Sequence, residues 1–434
     1  MLLNIFGVII FISVGVSPFS EKNKKNFLIH RQRYLMFEDY THSKNYEKNT
    51  IFSYALHMQH SPIYKNNTID LIDNNVLLLK HMLKLIREAE HHIHISTYII
   101  HNGIMFDILA NELIKKAKEG VKIRIMYDDF GAKKGLDKKI IKILESHKIQ
   151  IKPFNILGYI TFNSLTNYRN HKKVFIVDNK YAIYGGSNIG DEYLGISKLY
   201  NSFTDTNFVV KGEIVTSLNA SFIHDWDKYA CGDRFSMEQL KIYLTPHKTI
   251  SNANAQFISA LPDYRDNSIY NSYVQLFINA KKSIKLITPY FNPPNDFFNA
   301  LEIAAANGVE IEIITPADND DKKYVQFMNR SNYAKMLNLK CKIYELSGFI
   351  HSKFLLIDDQ YVFTGSSNID FRSFFINLES SLLIESTILN SKLNKQFEEY
   401  KSQATLFTKR LIDDFFNRRN KFIASLLNVS KPLL

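Results

Sequence analysis

One polar pattern occurs twice in this chain of 434 residues, as NHKKVFIVDNKYAIYGGSN at 170–188 and as IHSKFLLIDDQYVFTGSSN at 350–368. Each copy holds a histidine, a lysine two residues later, an aspartate five residues after that lysine, and a loop of glycine, serine and asparagine. An imidazole has a pKa near neutrality and can serve as a nucleophile or as a general acid or base. A lysine ammonium can neutralise phosphate charge that Mg²⁺ would otherwise balance. Two such sets, with no obvious group of metal ligands, predict phosphoryl chemistry without a metal.

Each copy predicts a β-hairpin that presents these groups together. The runs KVFIVD and HSKFLLID are typical of strands, in which residues i and i+2 lie on the same face. His171 and Lys173 therefore share a face, as do His351 and Lys353. Glycine lets the loop backbone come close to an oxyanion, and serine and asparagine side chains can donate hydrogen bonds to it. The loop residues predicted to bind phosphate are Ser187, Asn188, Ser366 and Asn368.

The segments before each copy predict the elements that position the hairpins. Residues 92–100 and 121–129 have the composition of strands, and 106–120 between them has helical spacing and ends on a glycine. The same order of strand, helix and strand recurs at 284–316. Such units are typical of a parallel sheet, so the chain is predicted to be α/β, with two similar domains packed as a pseudo-twofold pair. The predicted bounds of these domains are 67–245 and 246–434, the second including C-terminal helices.

The N-terminal residues 1–19 are mostly apolar and predict a membrane-anchor helix at the short end of the length that spans a bilayer. Basic residues follow this segment, which by the positive-inside rule predicts that the remaining chain is cytoplasmic. A cleaved signal peptide is the alternative, but no lysine or arginine precedes the apolar run. Residues 20–66 are polar and predict a connector with room for one short helix.

The net charge of +11 predicts an anionic partner, which by charge alone could be nucleic acid, a phospholipid surface or a phosphorylated substrate. Cys231 and Cys341 provide neither a disulfide framework nor the spacing of a metal site. From about residue 388 the chain is helical, basic and amphipathic. This tail predicts helices packed on the second domain, with contact to a membrane surface as the alternative.

The doubled pattern H-x-K-x4-D-x6-G-[SG]-S-N resembles that of the phospholipase D superfamily, and more narrowly the chain is similar to bacterial cardiolipin synthases. The phrases that carry this resemblance include RNHKKVFIVD, GGSNIGDEYLG, ITPYFNPP and GSSNIDFRSFFINLES. It extends from about residue 67 to near the C-terminus. The resemblance implies that the two halves place both motifs in one active site, and the chemistry is expected to need no cofactor.

The resemblance also implies roles for the residues of the two motifs. His171 would be the nucleophile that forms a covalent phosphatidyl-histidine. His351 would be the general acid in the first step and the general base in the second. The residues implied to hold the phosphate are Lys173, Lys353, Asn188 and Asn368.

In the superfamily, an acidic residue beyond each motif orients a histidine, often that of the opposite half. The matching positions here are Glu379, expected beside the histidine of the first motif, and Asp205, expected beside that of the second. Such a carboxylate fixes the tautomer and stabilises the imidazolium. Asp178 and Asp358 complete the two motifs, but their place at the hairpin turn predicts a structural role.

Three departures from the family pattern concern the surroundings of the motifs. Family members commonly have Trp-Arg-Asp-Thr-His where residues 203–207 of this chain are Phe-Thr-Asp-Thr-Asn. Ser96 stands where an acidic residue is usual, and one apolar N-terminal segment is present where two are usual. Because both core motifs are intact, these departures point to acceptor or head-group preference as the property that differs.

Further residues near the predicted strand ends are candidates for substrate contact, although a structural role is the first expectation for most of them. The HHIH stretch (His91, His92 and His94) predicts structural histidines, because no acidic or cysteine partner follows at a metal-site spacing. Trp226 is predicted to lie in the core. The remaining candidates are Asp128, Asp129, Asp318, Asp320 and Asp321 in loops, Tyr98 and Tyr290 at strand ends, and Arg372 and Ser373 after the second motif.

Together these features predict a membrane-associated phosphatidyltransferase that makes cardiolipin and glycerol from two phosphatidylglycerols. The expected partners are phosphatidylglycerol and an anionic membrane, with the catalytic domains on the cytoplasmic side of the cell membrane. A hydrolase of the same superfamily, either a phospholipase D or a phosphodiesterase acting on nucleic acid, is the alternative, and a non-catalytic lipid-binding scaffold is the third. A nucleic-acid partner is disfavoured, because no stretch interleaves aromatic and basic residues for base stacking.

Overall fold

The computed structural model describes residues 50–154, 168–196, 203–230, 232–260, 267–317, 323–415 and 420. The predicted anchor at 1–19 lies outside these ranges, as do residues 20–49 of the predicted connector, Cys231, Asp318, Asp320 and Asp321. Among the helices of the described ranges, none is long and apolar enough to cross a membrane.

One mixed sheet forms the centre of the described structure. The first half of the chain contributes β1 (Ile63–Ile72), β2 (His92–Thr97), β3 (Lys122–Asp128), β4 (Gln150–Phe154), β5 (Val174–Val177), β6 (Tyr181–Gly185), β7 (Phe203–Thr204) and β8 (Asn207–Gly212). The second half contributes β9 (Ala253–Ala260), β10 (Ser283–Ile287), β11 (Phe291–Asn292), β12 (Glu310–Pro316), β13 (Lys342–Leu346), β14 (Phe349–Ile350), β15 (Phe354–Ile357), β16 (Tyr361–Gly365), β17 (Ile369–Asp370), β18 (Glu379–Glu385) and β19 (Thr405–Leu406). Within the described ranges, 15 of these strands form one sheet, in the order β19-β13-β12-β10-β15-β16-β18-β9-β1-β8-β6-β5-β2-β3-β4.

The strand order repeats on either side of the sheet's centre. From β1 outward the first half runs β8, β6, β5, β2, β3 and β4, and from β9 outward the second half runs β18, β16, β15, β10, β12 and β13. Three strands of each half, β2, β3 and β4 or β10, β12 and β13, are parallel, and the motif hairpin, β5–β6 or β15–β16, is antiparallel. In the second half β19 adds an antiparallel edge strand beside β13. The halves join where β1 pairs antiparallel with β9. The predicted α/β class with two similar halves is confirmed.

Helices cover both faces of this sheet. They are α1 (Thr50–Met58), α2 (Asn75–Glu88), α3 (Ile104–Lys118), α4 (Lys138–Ser146), α5 (Ile214–Tyr229), α6 (Met237–Tyr243), α7 (Ser268–Asn279), α8 (Asn295–Ala306), α9 (Lys323–Asn338), α10 (Phe371–Phe375), α11 (Thr387–Gln403) and α12 (Lys409–Phe415). One buried cluster spans both halves and includes apolar residues of α5, α6 and α11. A second cluster forms around α2 and α3, and a third around α1, α7 and α8.

The motif hairpins bury both of their faces. Phe354 and Leu356 of β15 belong to the cluster shared by the two halves, whereas Leu355 and Ile357 belong to the cluster around α1, α7 and α8. This is the period-two alternation of a strand covered by helices on both sides, and it explains why the motif runs are almost wholly apolar.

Two predicted segments can be compared with these elements. α11 packs on the shared cluster through Leu389, Leu393 and Phe397, so the packed-helix interpretation of the tail is confirmed for this helix. The last residues of the predicted connector form α1 and the start of β1, which begins at Ile63 rather than at 67. The polar composition of residues 20–66 as a whole hid this part of the fold, although Ile51, Phe52, Ala55 and Leu56 of α1 are buried in the core.

Asp178 and Asp358 each fix a motif hairpin to the neighbouring strand. Both lie at the hairpin turn with a φ of 53°. The Asp178 carboxylate accepts hydrogen bonds from three successive backbone N–H groups that lead into β2, at 2.7, 2.8 and 2.7 Å. Asp358 does the same for the N–H groups of Lys281, Lys282 and Ser283, at 3.2, 2.7 and 3.1 Å. These bonds agree with the structural role that the turn position predicts.

We expect Asp358→Asn to lower the free energy of unfolding by about 1–3 kcal/mol, because one neutral amide oxygen replaces a carboxylate that serves three N–H groups. Asparagine also tolerates positive φ, so backbone strain does not contribute. The adjacent Asp359→Asn is the matched control, because that side chain is 83% exposed and pairs only with Lys282 among the contacts seen. Its effect should stay within about 0.5 kcal/mol in a denaturant titration. Equal effects of the two changes would contradict the structural role.

Candidate active site

A cavity of about 310 Å³ lies where the two halves meet. Its lining comes from both halves of the chain and includes His171 and His351. The loops that follow β2 and β10 contribute Tyr98 and Tyr290 to the same lining. The two copies of the motif therefore converge on one cavity, with one imidazole supplied by each half.

Short backbone contacts between the halves set the position of each histidine. The N–H of His171 donates to the carbonyl of Leu378 at 2.9 Å, and the N–H of Leu378 donates to the carbonyl of Arg169 at 2.8 Å. In the other half, the N–H of His351 donates to the carbonyl of Thr204 at 2.7 Å, where β7 pairs with β14. In both places the accepting carbonyl belongs to the half that does not contain the histidine, and an acidic residue follows it directly in the sequence. The backbone thus brings each imidazole beside that carboxylate.

Each motif histidine is hydrogen-bonded to this carboxylate. His171 Nδ1 lies 2.9 Å from Oε1 of Glu379 and 3.1 Å from Oε2. His351 Nδ1 lies 2.7 Å from Oδ2 of Asp205. These are the two pairs that the resemblance leads us to expect. Because a carboxylate accepts the hydrogen bond, Nδ1 carries the proton in each ring, and Nε2 is the nitrogen available for chemistry.

Serine hydroxyls hold the two carboxylates in place. Ser366 Oγ donates to Oε2 of Glu379 at 2.5 Å, and Ser187 Oγ donates to Oδ2 of Asp205 at 3.2 Å. Neither serine is among the residues that line the main cavity, so both lie behind a carboxylate and not at the predicted phosphate contact. Gly186 takes the position of Ser366 in the first copy, and a Cβ there would lie 2.2 Å from Oδ1 of Asp205. The glycine therefore leaves the room that this carboxylate occupies.

The motif lysines lie behind the histidines. Lys173 Nζ donates to the carbonyl oxygen of His171, and Lys353 Nζ to that of His351, each at 2.5 Å. Both lysines are buried, and neither is among the residues that line the main cavity. Lys173 lines a smaller cavity that shares Asn188 with the main one. The lysine charges act on the site from within the protein, and their direct contact with a phosphate stays a prediction.

Asn188 and Asn368 both line the cavity but differ in their hydrogen bonds. Asn188 Oδ1 accepts from the backbone N–H of Ile99 at 3.1 Å, and its Nδ2 donates to the Tyr193 hydroxyl at 2.5 Å. Asn368 Oδ1 is buried and has no hydrogen-bond partner in the described part of the chain. Asn188 therefore fixes the loop after β2, whereas Oδ1 of Asn368 is an acceptor without a hydrogen bond in the described part of the chain.

Burial shifts the pKa of every cationic group of the two motifs downward, because the charged form loses its hydration. It lowers the pKa of His171 to about 4, with Glu379 opposing the shift. It lowers the pKa of His351 likewise to about 4, assisted by the charge of Lys353. It lowers the pKa of Lys173 to about 7 and that of Lys353 to about 8. These four groups therefore lose their protons readily in the free site, and a bound anion would raise their pKa values.

The segment before His171 is fixed by Asp128 at the end of β3. Its buried carboxylate accepts three backbone N–H groups, including that of Asn170 at 3.0 Å, and burial raises its pKa to about 6. The next residue, Asp129, accepts a hydrogen bond from Arg169 Nη1 at 2.9 Å. Both aspartates thus order the chain that leads into the first motif, and neither is among the residues that line the cavity.

The aromatic and post-motif candidates do line the cavity. Tyr98 and Tyr290 lie at its wall, and the Tyr98 ring meets His171 edge-on with 5.1 Å between centroids. Arg372 and Ser373 contribute from α10. Predicted residues that do not line it are His91, His92, His94, Trp226, Asp178 and Asp358. His92 and His94 are buried around Asn219 and Trp226 is fully buried, in agreement with their predicted structural roles.

Some lining residues were not singled out from the sequence. His101 Nδ1 lies 2.9 Å from Oε1 of Glu192, which raises the pKa of this histidine. Arg169 and Asn329 also line the cavity. Arg169 stands two residues before His171, a spacing that could have identified it, whereas His101 and Glu192 meet only through the fold. Among the described residues, no group of three or more His, Cys, Asp or Glu side chains could hold a metal ion.

Known proteins share this sequence and this fold. A family model described as "Cardiolipin synthase, PLD-like domain" matches residues 82–226 and 273–401. A cardiolipin synthase of Clostridium perfringens strain SM101 is 32% identical over 100% of this chain and 92% of its own length. A cardiolipin synthase of Alkalihalophilus pseudofirmus is 32% identical over 88% of this chain and 76% of its own length. The crystal structure of a phosphatidylserine synthase of Haemophilus influenzae matches with a TM-score of 0.66 and 15% identity, over 89% of this chain and 98% of that one.

The chain belongs to the cardiolipin synthase family. It is accordingly a cardiolipin synthase-like phosphatidyltransferase of the phospholipase D superfamily. The phosphatidylserine synthase shares the fold, and at this identity the likeness shows the fold alone.

The departures from the family pattern have defined places in this enzyme. Phe203, where tryptophan is usual, lines the cavity with its ring centroid 5.7 Å from that of His351. Asn207, where histidine is usual, donates from Nδ2 to Ser187 Oγ at 2.8 Å. Ser96 Oγ accepts a hydrogen bond from Asn170 Nδ2 at 3.0 Å. Of these three residues, Phe203 is the one that lines the cavity.

We expect an inorganic tetrahedral anion to bind this site with an affinity that falls as the pH rises from 6 to 9. Lys173 and Lys353, with pKa values of about 7 and 8, lose their protons in the free site across this range. An anion binds the protonated form, so each proton taken up changes the affinity by up to about tenfold per pH unit. Calorimetry with sulfate, which does not titrate in this range, measures the effect.

The matched variants are Lys173→Met and Lys353→Met, each of which should flatten part of the pH dependence. Lys282→Met, on the exposed surface, should leave it unchanged. A sulfate affinity that stays constant from pH 6 to 9 in the unmodified enzyme would show that the two lysines are not coupled to the anion.

Proposed function

We propose that this enzyme transfers a phosphatidyl group from one phosphatidylglycerol to a second, so that cardiolipin forms and glycerol is released. The observation that carries the proposal is the convergence of two carboxylate-bound imidazoles, His171 with Glu379 and His351 with Asp205, on one cavity. The curated relatives at 32% identity support it, since they are named cardiolipin synthases.

In the first step, Nε2 of His171 attacks the phosphorus of the donor lipid. The bond between phosphorus and the glycerol oxygen breaks, and a new P–N bond holds the phosphatidyl group on the histidine. His351, protonated on Nε2, gives its proton to the departing oxygen, so that glycerol leaves as a neutral molecule. The choice of His171 as the nucleophile follows the family resemblance, because the two imidazole–carboxylate pairs have similar geometry.

In the second step, a hydroxyl of the second phosphatidylglycerol attacks the same phosphorus. Nε2 of His351, now neutral, takes the hydroxyl proton while the P–N bond breaks. Cardiolipin leaves, His171 is neutral again and His351 is protonated again. No proton or electron is gained or lost over the two steps, so the cycle needs no external reductant, oxidant or cofactor.

The charge of the substrate prepares the site for these steps. Burial lowers the pKa of both histidines to about 4, so His351 is not a competent acid in the free site. A phosphodiester brings a negative charge next to the imidazoles and raises those pKa values toward neutrality. Asp205 supports the imidazolium of His351, and the buried lysines balance the phosphate charge. His351 therefore gains the proton that it needs as an acid when a phosphodiester binds.

We place the enzyme at the cell membrane, with its two catalytic halves on the cytoplasmic side. The apolar run at 1–19, the basic residues that follow it and the net charge of +11 support this location. Removal of residues 1–19 should shift the protein from co-sedimentation with anionic vesicles toward the supernatant, and the shift should be larger in high salt, where surface attraction is screened. Unchanged sedimentation of the truncated protein in high salt would exclude the N-terminal segment as the anchor.

The direct test of the proposed reaction uses vesicles of phosphatidylglycerol, with EDTA present and no added metal. We expect cardiolipin and glycerol in equal amounts, measured by mass spectrometry and a coupled glycerol assay. His171→Ala and His351→Ala should each lower turnover by at least about 10³-fold, because each removes a group that forms or breaks a bond.

His57→Ala, on the exposed surface of α1, is the control and should keep the unmodified rate. Phosphatidic acid as the main product would instead identify a hydrolase, and an absolute need for a divalent cation would contradict the metal-free mechanism. A phosphatidyl adduct trapped in the His351 variant should map to His171.

A further inference from the structure

An exposed loop beside the cavity carries a combination of residues that the proposed reaction does not use. It follows β3, at the carboxyl ends of the parallel strands β2, β3 and β4, and the sequence at 130–139 is FGAKKGLDKK. The Phe130 ring is 63% exposed. Single exposed apolar residues need no explanation, but an exposed aromatic ring next to a group of lysines does. The exposed lysines of this stretch are Lys133, Lys134, Lys138 and Lys139.

Contacts place this loop directly against residues of the cavity lining. The guanidinium carbon of Arg169, which pairs with Asp129, lies 5.1 Å from the centre of the Phe130 ring. Gly135 packs on the ring of His101 so closely that a Cβ on this glycine would overlap the ring. Arg169 and His101 both line the cavity, so one layer of side chains separates the loop from it.

Hydrogen bonds hold the loop in this position. Oδ1 of the buried Asp128 accepts from the backbone N–H groups of Phe130 and Gly131, at 3.0 and 3.1 Å. The N–H of Asn102, in the loop after β2, donates to the carbonyl of Gly135 at 2.7 Å. The exposed ring of Phe130 is therefore presented by a hydrogen-bonded backbone at the edge of the cavity.

A second exposed apolar side chain lies next to this loop. Ile104 begins α3, two residues after Asn102, and is 58% exposed. Its backbone N–H donates to Oδ2 of Asp191 at 3.1 Å, which fixes the start of the helix. Asp107, three residues further along α3, is exposed and acidic, so the surface is basic on the side of the loop only. We call the surface formed by Ile104, Phe130 and the four lysines the basic rim.

Neighbouring side chains leave most of the charge of the basic rim uncompensated. Four lysines and one aspartate give residues 130–139 a net charge of +3. Within the described ranges, none of the four ammonium groups forms an ion pair or a hydrogen bond, whereas the exposed Lys152 pairs with Glu145 at 3.0 Å. The aspartate of the stretch, Asp137, caps α4 by accepting from the N–H of Lys139 at 2.8 Å. Such a surface attracts a polyanionic partner.

We propose that the basic rim docks on an anionic lipid bilayer, with Phe130 and Ile104 in the interfacial region and the four lysines against lipid phosphates. Apolar side chains and lysines on one surface bind such an interface together, the first by burial and the second by charge. A nucleic acid would match the charge, but it would leave the isoleucine side chain in water.

This docking rests on the proposed function, in which phosphatidyl groups pass from a bilayer to the cavity. The basic rim is distinct from the apolar segment at 1–19, because it belongs to the catalytic part of the chain. Docking through it brings the cavity to the bilayer surface, since only Arg169, His101 and their neighbours lie between the two.

The test uses tryptophan fluorescence of the full-length protein. The chain has one tryptophan, Trp226, which is fully buried and gives a constant background. The variant Phe130→Trp is mixed with vesicles of phosphatidylglycerol and phosphatidylcholine whose acyl chains carry bromine, a contact quencher. We expect it to lose at least about half of its added fluorescence relative to unbrominated vesicles, because the ring should reach the boundary between head groups and acyl chains.

Ile250→Trp is the matched control. Ile250 is 90% exposed, and its carbonyl accepts from Thr68, whose strand partner Lys211 pairs in turn with Tyr181. Tyr181 begins β6 after the hairpin turn, and β6 runs from there toward the loop that carries Asn188 to the cavity. Ile250 therefore lies toward the opposite edge of the sheet, and a tryptophan there should keep its fluorescence.

Charge reversal tests the lysines through catalysis. Lys133→Glu combined with Lys134→Glu should lower turnover of phosphatidylglycerol vesicles by at least about tenfold, because two attractive charges become repulsive. Turnover of a dihexanoyl phosphatidylglycerol dissolved as monomers should stay at the unmodified rate, since the cavity is unchanged. Lys281→Glu combined with Lys282→Glu, an exposed pair of lysines beside the turn of the second hairpin, is the control and should alter neither rate.

Two results would overturn the basic rim as a docking surface. One is equal fluorescence of the Phe130→Trp protein on brominated and unbrominated vesicles that the enzyme binds. The other is an equal loss of turnover on vesicles and on the monomeric lipid in the Lys133 and Lys134 variant. Quenching at position 130 in an enzyme that makes no cardiolipin would support the docking surface and refute the proposed function instead.

Discussion

The reciprocal pairing of a histidine from one half with a carboxylate from the other is the constraint on which the site depends. The Glu379 carboxylate holds the proton of His171 on Nδ1, and Asp205 does the same for His351, so that Nε2 of each ring is left available. Backbone hydrogen bonds between the halves hold these groups in register. Neither motif histidine has its carboxylate partner in its own half, so each copy of the motif depends on the other half to complete its pair.

Burial of so many charges in one place explains the behaviour of the site in the absence of substrate. Two lysines, two histidines and two carboxylates are enclosed together, and burial disfavours the cationic forms of the first four. Serine hydroxyls satisfy the carboxylates, so the free site is stable without being fully charged. A bound anion would favour the cationic forms again, which is the electrostatic basis for proposing that the site takes a phosphate group.

Much of this structure could be predicted from the residues themselves. The apolar alternation of KVFIVD and its repeat gave the hairpins, and the two strand–helix–strand units gave the parallel strands. The pairing of Glu379 with His171 and of Asp205 with His351 depended on the family resemblance, because contacts between residues 208 and 146 positions apart leave no local pattern.

The features that were missed depend on three-dimensional context in the same way. Ser187 and Ser366 have the right chemistry for phosphate, but the fold turns their hydroxyls toward carboxylates. Asn188 and Asn368 occupy matching positions in the repeat, and only the neighbouring Asn329 makes their hydrogen bonds differ. His101 and Glu192 meet because the loop after β2 lies against the turn at Asp191–Leu194.

The antiparallel contact of β1 with β9 has a further consequence for how lipids reach the phosphorus. It joins the strands of both halves into one hydrogen-bonded ladder, so the halves cannot swing apart like the jaws of a clamp without breaking that ladder. Any substrate or product that enters or leaves the cavity must therefore do so through rearrangement of loops and side chains at the rim. Access to the cavity is in this architecture a matter of its rim and not of a hinge between the halves.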